Sequence, residues 1–322
     1  MKVDHLLVLA DPSAPYLRGL ERLTPGTTLT VGLTEEALGE AAERAQVFLV
    51  CAQNKELLRS LWRRAKGLRW VHALSAGVEN LLFDGLVHSP LPLTNAKGVY
   101  SGALSEFALM AILFFAKDAR RLLRQQAAAR WETFEPLELQ GQTLGIIGYG
   151  DIGRAAAQRA RAFGLRILAC RRRPELSAED PLVDEVFPLE RRGALLAASD
   201  YVLLAMPHTP GTQRLVGEAE LRALRPGAVL INVGRGGTVD EPALIRALED
   251  RRLRGAALDV YETEPLPPEH PLWRLDNVLL SPHCADNTPH WRENALEVFL
   301  RNLARFERDE PLLNVVDKAA GY

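Results

Sequence analysis

The chain is poor in the features that mark several large protein classes. Only three of its 322 residues are cysteine, namely Cys51, Cys170 and Cys284. They lie far apart and lack the paired spacings of a metal site, so neither a disulfide framework nor a zinc centre is indicated. Long apolar runs are missing as well. The most apolar segment, Ala103–Ala116, is interrupted by Ser105 and Glu106. It is too short to span a bilayer and reads as a buried helix, so no membrane association is expected. The apolar run Leu6–Ala10 is far shorter than a signal-peptide core, and a cytoplasmic protein is expected. Charge of one sign is not in excess either: 39 basic residues face 41 acidic ones, for a net charge of −2. That balance implies no surface for nucleic acid.

What remains is an ordinary globular composition, 47% apolar and 25% charged, in a chain long enough to favour two domains over one core. Strand-like and helical runs alternate from the start. Strands are expected at His5–Ala10, Val47–Cys51 and Leu68–Leu74, and helices at Thr34–Arg44 and Lys55–Ala65. Ala103–Leu122 reads as one long apolar helix. A second alternating run follows, with strands expected at Thr143–Ile147, Leu165–Cys170, Glu185–Phe187, Tyr201–Ala205, Val229–Val233, Ala256–Asp259 and Val278–Leu280. Helices are expected between them at Arg154–Phe163, Glu218–Leu224 and Pro242–Glu249, and Trp291–Arg308 reads as a final amphipathic helix. Such alternation is the mark of βαβ units around parallel sheets.

The centre of the pattern is Gly145–Gly153, where an apolar strand runs into Gly148-Tyr149-Gly150-Asp151-Ile152-Gly153 and then into an alanine-rich helix. Gly148 permits the tight turn, and Gly150 lets a pyrophosphate approach the backbone. Gly153 lets helix and strand pack closely, while the helix N-terminus attracts phosphate. A strand, a helix and a second strand at Leu165–Cys170 complete a dinucleotide-binding unit. At the end of that second strand an NAD site carries an acidic residue for the ribose 2′-hydroxyl. Here the strand ends in Arg171-Arg172-Arg173. Arginine meets a 2′-phosphate with charge-assisted hydrogen bonds, so NADP(H) is expected to be preferred, with NAD(H) possible. The competing reading is a solvated basic loop.

Three more stretches set polar residues at strand ends, the edge where open α/β sheets bind ligands. Arg235 lies among glycines in Asn232-Val233-Gly234-Arg235-Gly236-Gly237. Asp259 and Glu264 lie in Leu258-Asp259-Val260-Tyr261-Glu262-Thr263-Glu264-Pro265. His283 lies in Ser281-Pro282-His283. Each alone could be a surface ion-pair partner, a solvated loop residue or a structural histidine. Three such ends in one dinucleotide-binding domain make coincidence a poor account.

In these stretches, with Ser75–Asn80, Leu104-Ser105-Glu106 and Met206-Pro207-His208-Thr209-Pro210, the chain resembles the D-isomer-specific 2-hydroxyacid dehydrogenases over nearly its whole length. The resemblance implies an α/β protein of two Rossmann-like domains with parallel sheets flanked by helices. Residues 1–98 and 287–322 would form a flavodoxin-like substrate domain, and residues 99–286 an NAD(P)-binding domain. It implies that Arg235 clamps the substrate carboxylate and polarises the keto oxygen, that His283 is the general acid/base and that Glu264 is its acidic partner. Gly148, Gly150, Asp151, Ile152 and Gly153 would hold the pyrophosphate, and Arg171 and Arg172 the adenosine end. Asp259 would receive the nicotinamide carboxamide, with Val233 and the loop after Pro207 lining that end. Backbone N–H groups of Ala76 and Gly77 would hold the substrate carboxylate. The family's NAD members carry an acidic residue where this chain has Arg171, and the departure resembles the NADP-preferring glyoxylate/hydroxypyruvate reductases. The partner is then a small 2-keto or 2-hydroxy acid. A homodimer is expected through the long helix and the Arg120–Trp131 arm, with Trp131 buried there. The alternatives are a 3-phosphoglycerate dehydrogenase-like NAD enzyme and a dinucleotide-sensing corepressor.

Overall fold

The computed structural model describes residues 2–322, which fall into two α/β units. The first unit comprises the residues through Val99 together with Pro289–Tyr322, and the second is Tyr100–Thr288. In chain order the first unit forms β1 (His5–Leu9), β2 (Thr28–Gly32), α1 (Glu35–Ala42), β3 (Val47–Val50) and α2 (Lys55–Arg64). It continues with β4 (Trp70–Ala73), α3 (Asp84–Val87) and β5 (Leu93–Asn95). The second unit opens with α4 (Ser101–Ala116) and α5 (Ala119–Ala127), then β6 (Thr143–Ile147), α6 (Asp151–Arg161), β7 (Arg166–Cys170), β8 (Glu185–Phe187) and α7 (Arg192–Ala198). There follow β9 (Tyr201–Leu204), α8 (Glu218–Ala223), β10 (Val229–Asn232), α9 (Glu241–Glu249), β11 (Gly255–Leu258) and β12 (Val278–Leu280). The chain ends in the first unit with α10 (Trp291–Glu307).

In the first unit five strands pair in the order β2-β1-β3-β4-β5, all parallel. That is the flavodoxin-like order. Strands covered on both faces are predominantly apolar, as Val47–Val50 illustrates with all four residues buried. Helices start where short polar side chains accept a free backbone N–H: Thr34 accepts from Ala37 at 3.3 Å and Asn54 from Leu57 at 3.0 Å. The returning α10 stacks Phe299 on the buried Trp70 at 5.3 Å between ring centroids, and Phe306 at 5.5 Å.

The second unit has seven parallel strands in the order β12-β11-β10-β9-β6-β7-β8. β6 and β9 are neighbours, and the chain progresses outward from them in opposite directions. Their carboxyl ends therefore flank the crevice where open α/β sheets take ligands.

The expected single helix Ala103–Leu122 is corrected by the structure. It is two helices, α4 and α5, separated at Asp118, whose φ is 47°. A left-handed residue cannot continue a helix, and the Asp118 carboxylate caps the next one by accepting the Arg121 N–H at 3.2 Å. Two strands were not expected. β2 lies on the sheet edge and carries polar and partly exposed residues, and β5 is only three residues long. Among the described residues no helix is long and apolar enough to cross a membrane.

Candidate active site

The glycine turn sits between β6 and α6. Gly148 has φ +93°, and a Cβ there would lie 2.7 Å from the Ala205 carbonyl carbon and the Met206 nitrogen. Only glycine fits that approach of the two central strand ends. A Cβ on Gly153 would meet Ile146 at 2.9 Å, so α6 packs tightly on β6, whereas one on Gly150 would point into open space. The N–H groups of Ile152 and Gly153, in the first turn of α6, have no helix carbonyl one turn back to donate to. Open space over Gly150, donors beneath it and a positive helix end together fit a dinucleotide pyrophosphate.

At the end of β7, Arg171 is held at both ends. Its backbone N–H donates to the Phe187 carbonyl at 3.2 Å, and its Nη1 donates to the Ser177 hydroxyl at 2.6 Å. Arg172 follows it and is exposed. Close by, Asp180 accepts from Arg154 Nε at 2.8 Å and the Tyr149 hydroxyl at 3.2 Å. Burial raises the Asp180 carboxyl, but hydrogen bonds from the Leu182 N–H, Arg154 and Tyr149 outweigh that and hold it below the ordinary carboxylate value. Ser177 and Asp180 escaped the sequence reading because nothing local marks them. They reach the site through the loop that follows β7.

The remaining residues come from the carboxyl ends of β9 to β12. Pro207 lies in the loop after β9, where its carbonyl accepts the Thr212 hydroxyl at 2.7 Å. Val233 is buried and its N–H donates to Leu204 at 3.1 Å. Arg235 begins a short 3-10 turn whose main chain is fastened. The Arg235 carbonyl accepts from Asn232 Nδ2 at 3.1 Å and from the Thr238 hydroxyl at 2.7 Å. His283 has φ 51°, a conformation costly for a residue with a side chain and common at functional sites. Its Nδ1 lies 2.7 Å from Glu264 Oε2.

That pair shapes both titrations. The hydrogen bond to Glu264 raises the His283 pKa above its ordinary value, against the opposing effect of burial, and the Glu264 charge adds to the rise. For Glu264, burial pushes upward, but hydrogen bonds from His283 and the Tyr261 N–H bring the carboxyl below its usual range. The Arg235 charge acts on both groups, lowering each. Asp259, with 1% exposure, anchors the turn bearing His283. Its Oδ1 accepts from the Ser281 hydroxyl at 2.6 Å and from the N–H groups of Cys284 and Ala285 at 3.0 and 3.1 Å. Three residues past His283 stands Asp286, which the sequence reading missed. Burial and the neighbouring Asp259 raise its carboxyl.

The structure thus brings Arg235, Glu264, His283 and Asp259 to one edge of the second unit. Ala76 and Gly77 belong to the first unit, in the loop after β4. That loop is shaped by a bond from the Ser75 hydroxyl to the Gly77 carbonyl at 2.6 Å and one from Asn95 Nδ2 to the Ala76 carbonyl at 2.6 Å. Among the described residues no group of three or more His, Cys, Asp or Glu side chains could hold a metal ion.

A dinucleotide fold with a paired histidine and carboxylate beside an arginine fits an NAD(P)-dependent oxidoreductase, the class to which the relatives below belong. The chain belongs to the D-isomer specific 2-hydroxyacid dehydrogenase family, whose NAD binding domain model matches residues 109–285. It is 36% identical over 282 residues to a glyoxylate reductase of Thermococcus gammatolerans, covering 84% of this chain and 82% of that one. A D-isomer specific 2-hydroxyacid dehydrogenase from Xanthobacter autotrophicus, solved with NADPH and MES, superposes with a TM-score of 0.85 at 31% identity, over 99% of this chain and 100% of that one. An NADPH-dependent glyoxylate/hydroxypyruvate reductase from Sinorhizobium meliloti, solved with NADP and sulfate, gives 0.84 at 27%, with the same coverage.

Proposed function

We propose that the protein reduces a small 2-keto acid of the glyoxylate or hydroxypyruvate kind to the D-2-hydroxy acid, with NADPH preferred over NADH. The observation that carries this reading is the 2.7 Å pair of His283 and Glu264, beside Arg235 at the strand ends. Reduction of a keto group needs a hydride at carbon and a proton at oxygen. The nicotinamide supplies the hydride when bound. His283 donates the proton, and the Glu264 hydrogen bond that raises its pKa favours the imidazolium form. The planar guanidinium of Arg235 matches a carboxylate bidentately and offsets charge growing on the keto oxygen. We assign the N–H groups of Ala76 and Gly77 to the substrate carboxylate and Asp259, through its second oxygen, to the carboxamide. Val233 and Pro207 line the nicotinamide end, and Gly148, Gly150, Asp151, Ile152 and Gly153 cradle the pyrophosphate.

The NADPH preference rests on Arg171, oriented by Ser177, and on Arg172, at the end of β7 where an acidic residue would favour NAD. Two structural neighbours solved with NADPH or NADP support it. We further propose a homodimer. Large apolar side chains are exposed between residues 110 and 137, namely Met110, Leu122, Leu123, Trp131 and Leu137, and Trp131 is 98% exposed in the single chain.

The test is steady-state oxidation of NADPH and NADH with glyoxylate, hydroxypyruvate and a bulkier 2-keto acid. NADPH-dependent turnover is expected. Tight cofactor binding without turnover of any of the three would overturn the reading in favour of a dinucleotide sensor.

A further inference from the structure

Arg235, Glu264 and His283 follow three different strands, β10, β11 and β12, so no single element sets their mutual placement. Tyr261, buried just past β11, touches all three arms. Its backbone N–H donates to Glu264 Oε1 at 2.9 Å. Its hydroxyl lies 2.8 Å from the Ser281 carbonyl oxygen and 2.9 Å from that of Leu258, and accepts the Ser281 N–H at 3.2 Å. Ser281 stands two residues before His283. On the third side, Gly236, which follows Arg235, backs onto the Tyr261–Glu262 peptide so closely that a Cβ at 236 would overlap the Tyr261 carbonyl.

We propose that Tyr261 is a positioning residue that sets the register of Arg235, Glu264 and His283 relative to one another. The inference rests on the roles proposed above for those three side chains. Burial raises the phenol above its ordinary range, so the hydroxyl stays protonated and donates throughout the working pH range. The Ser281 N–H also donates to the Leu258 carbonyl at 2.9 Å. Removing the hydroxyl therefore leaves the main-chain frame between β11 and β12 in place and loosens only the link to the His283 side. Four charged or titratable groups face His283: Glu264, Arg235, Asp259 and Asp286. Of these, Glu264 is the one whose hydrogen bond raises the imidazole pKa most. A histidine that drifts from Glu264 loses that support and titrates lower.

The test is Tyr261→Phe in the full-length enzyme, with kcat, KM, the pH profile of reduction, NADPH affinity and Tm all measured. The ring and the backbone N–H stay, so NADPH affinity and KM should hold within about twofold, while kcat falls about tenfold, the size of effect a sub-ångström misplacement of a catalytic group produces. The high-pH limb should move to lower pH. In the Tyr261→Phe/Glu264→Gln double variant the limb should sit where Glu264→Gln alone puts it, because both act on one pair. A lowered Tm with kcat and the limb unchanged would make Tyr261 merely structural and overturn the inference, leaving the wild-type assignment intact. Absence of keto-acid turnover in the wild type would instead strike the proposed function itself. Should Tyr261→Phe fail to fold, 4-aminophenylalanine at 261 keeps the ring and puts a weaker donor in the place of the hydroxyl. A smaller shift of the limb in the same direction is then expected, and an unmoved limb would overturn the proposal.

Discussion

His283 and Glu264 form a pair whose strength should be visible in the pH dependence of the reaction. The pKa of His283 is raised by its partner. With His283 as the proton donor proposed above, reduction needs the imidazolium, and the rate should fall as pH rises through that pKa. Glu264→Gln removes the charge, lowers the His283 pKa and should bring the high-pH limb to lower pH. An unmoved limb in kcat/KM against pH would count against the pair. Arg235→Lys keeps the charge but loses the two-pronged fork, and kcat/KM should drop on the order of 10²-fold. Wild-type turnover in that variant would remove Arg235 from the site. Replacing Arg171 with Asp and Arg172 with Ser should raise the Kd for NADPH far more than that for NADH, and equal changes would sink the 2′-phosphate assignment. At this scale the sequence was informative where a residue sits directly at a strand end, as Arg235, Asp259 and His283 do. It was silent on Ser177, Asp180 and Asp286, whose places depend on how a loop folds back and not on any local pattern.

At the scale of elements, the glycine turn joins β6 to α6 under a constraint that a single methyl group would break. Gly148→Ala would put a Cβ against the main chain of Ala205 and Met206 at φ +93°. Such a strained position costs roughly 1–3 kcal/mol, and a unit of this size loses about 2–4 °C of Tm per kcal/mol. Calorimetry should therefore show a drop of several degrees together with loss of NADPH binding, whereas an unchanged Tm would show that the strand ends can part at no cost. The inner strands of the second unit were legible because buried parallel strands are predominantly apolar, as Tyr201–Leu204 and Gly255–Leu258 illustrate. β2 was not, since an edge strand such as Thr28–Gly32 carries the polar residues of a loop. The break at Asp118 was hidden for a different reason: no glycine or proline marks it, and only the left-handed backbone and its cap divide α4 from α5.

For the molecule as a whole, exposed Leu122, Leu123 and Trp131 on and beyond α5 bear on the proposed dimer. Leu123→Asp should convert a species of twice the chain mass to one of a single chain mass in sedimentation equilibrium. A wild type already at single mass would remove the dimer. The division into units has a further consequence for how the protein is made. The second unit is contiguous, residues 100–288, whereas the first is completed only by residues 289–322. On a ribosome adding about 5–20 residues per second, roughly ten to forty seconds separate the emergence of β5 from that of α10. During that interval Trp70 lacks the rings of Phe299 and Phe306 that later cover it. The nascent first unit therefore waits with an uncovered apolar face, the state a chaperone recognises, while the second can already close around its own core.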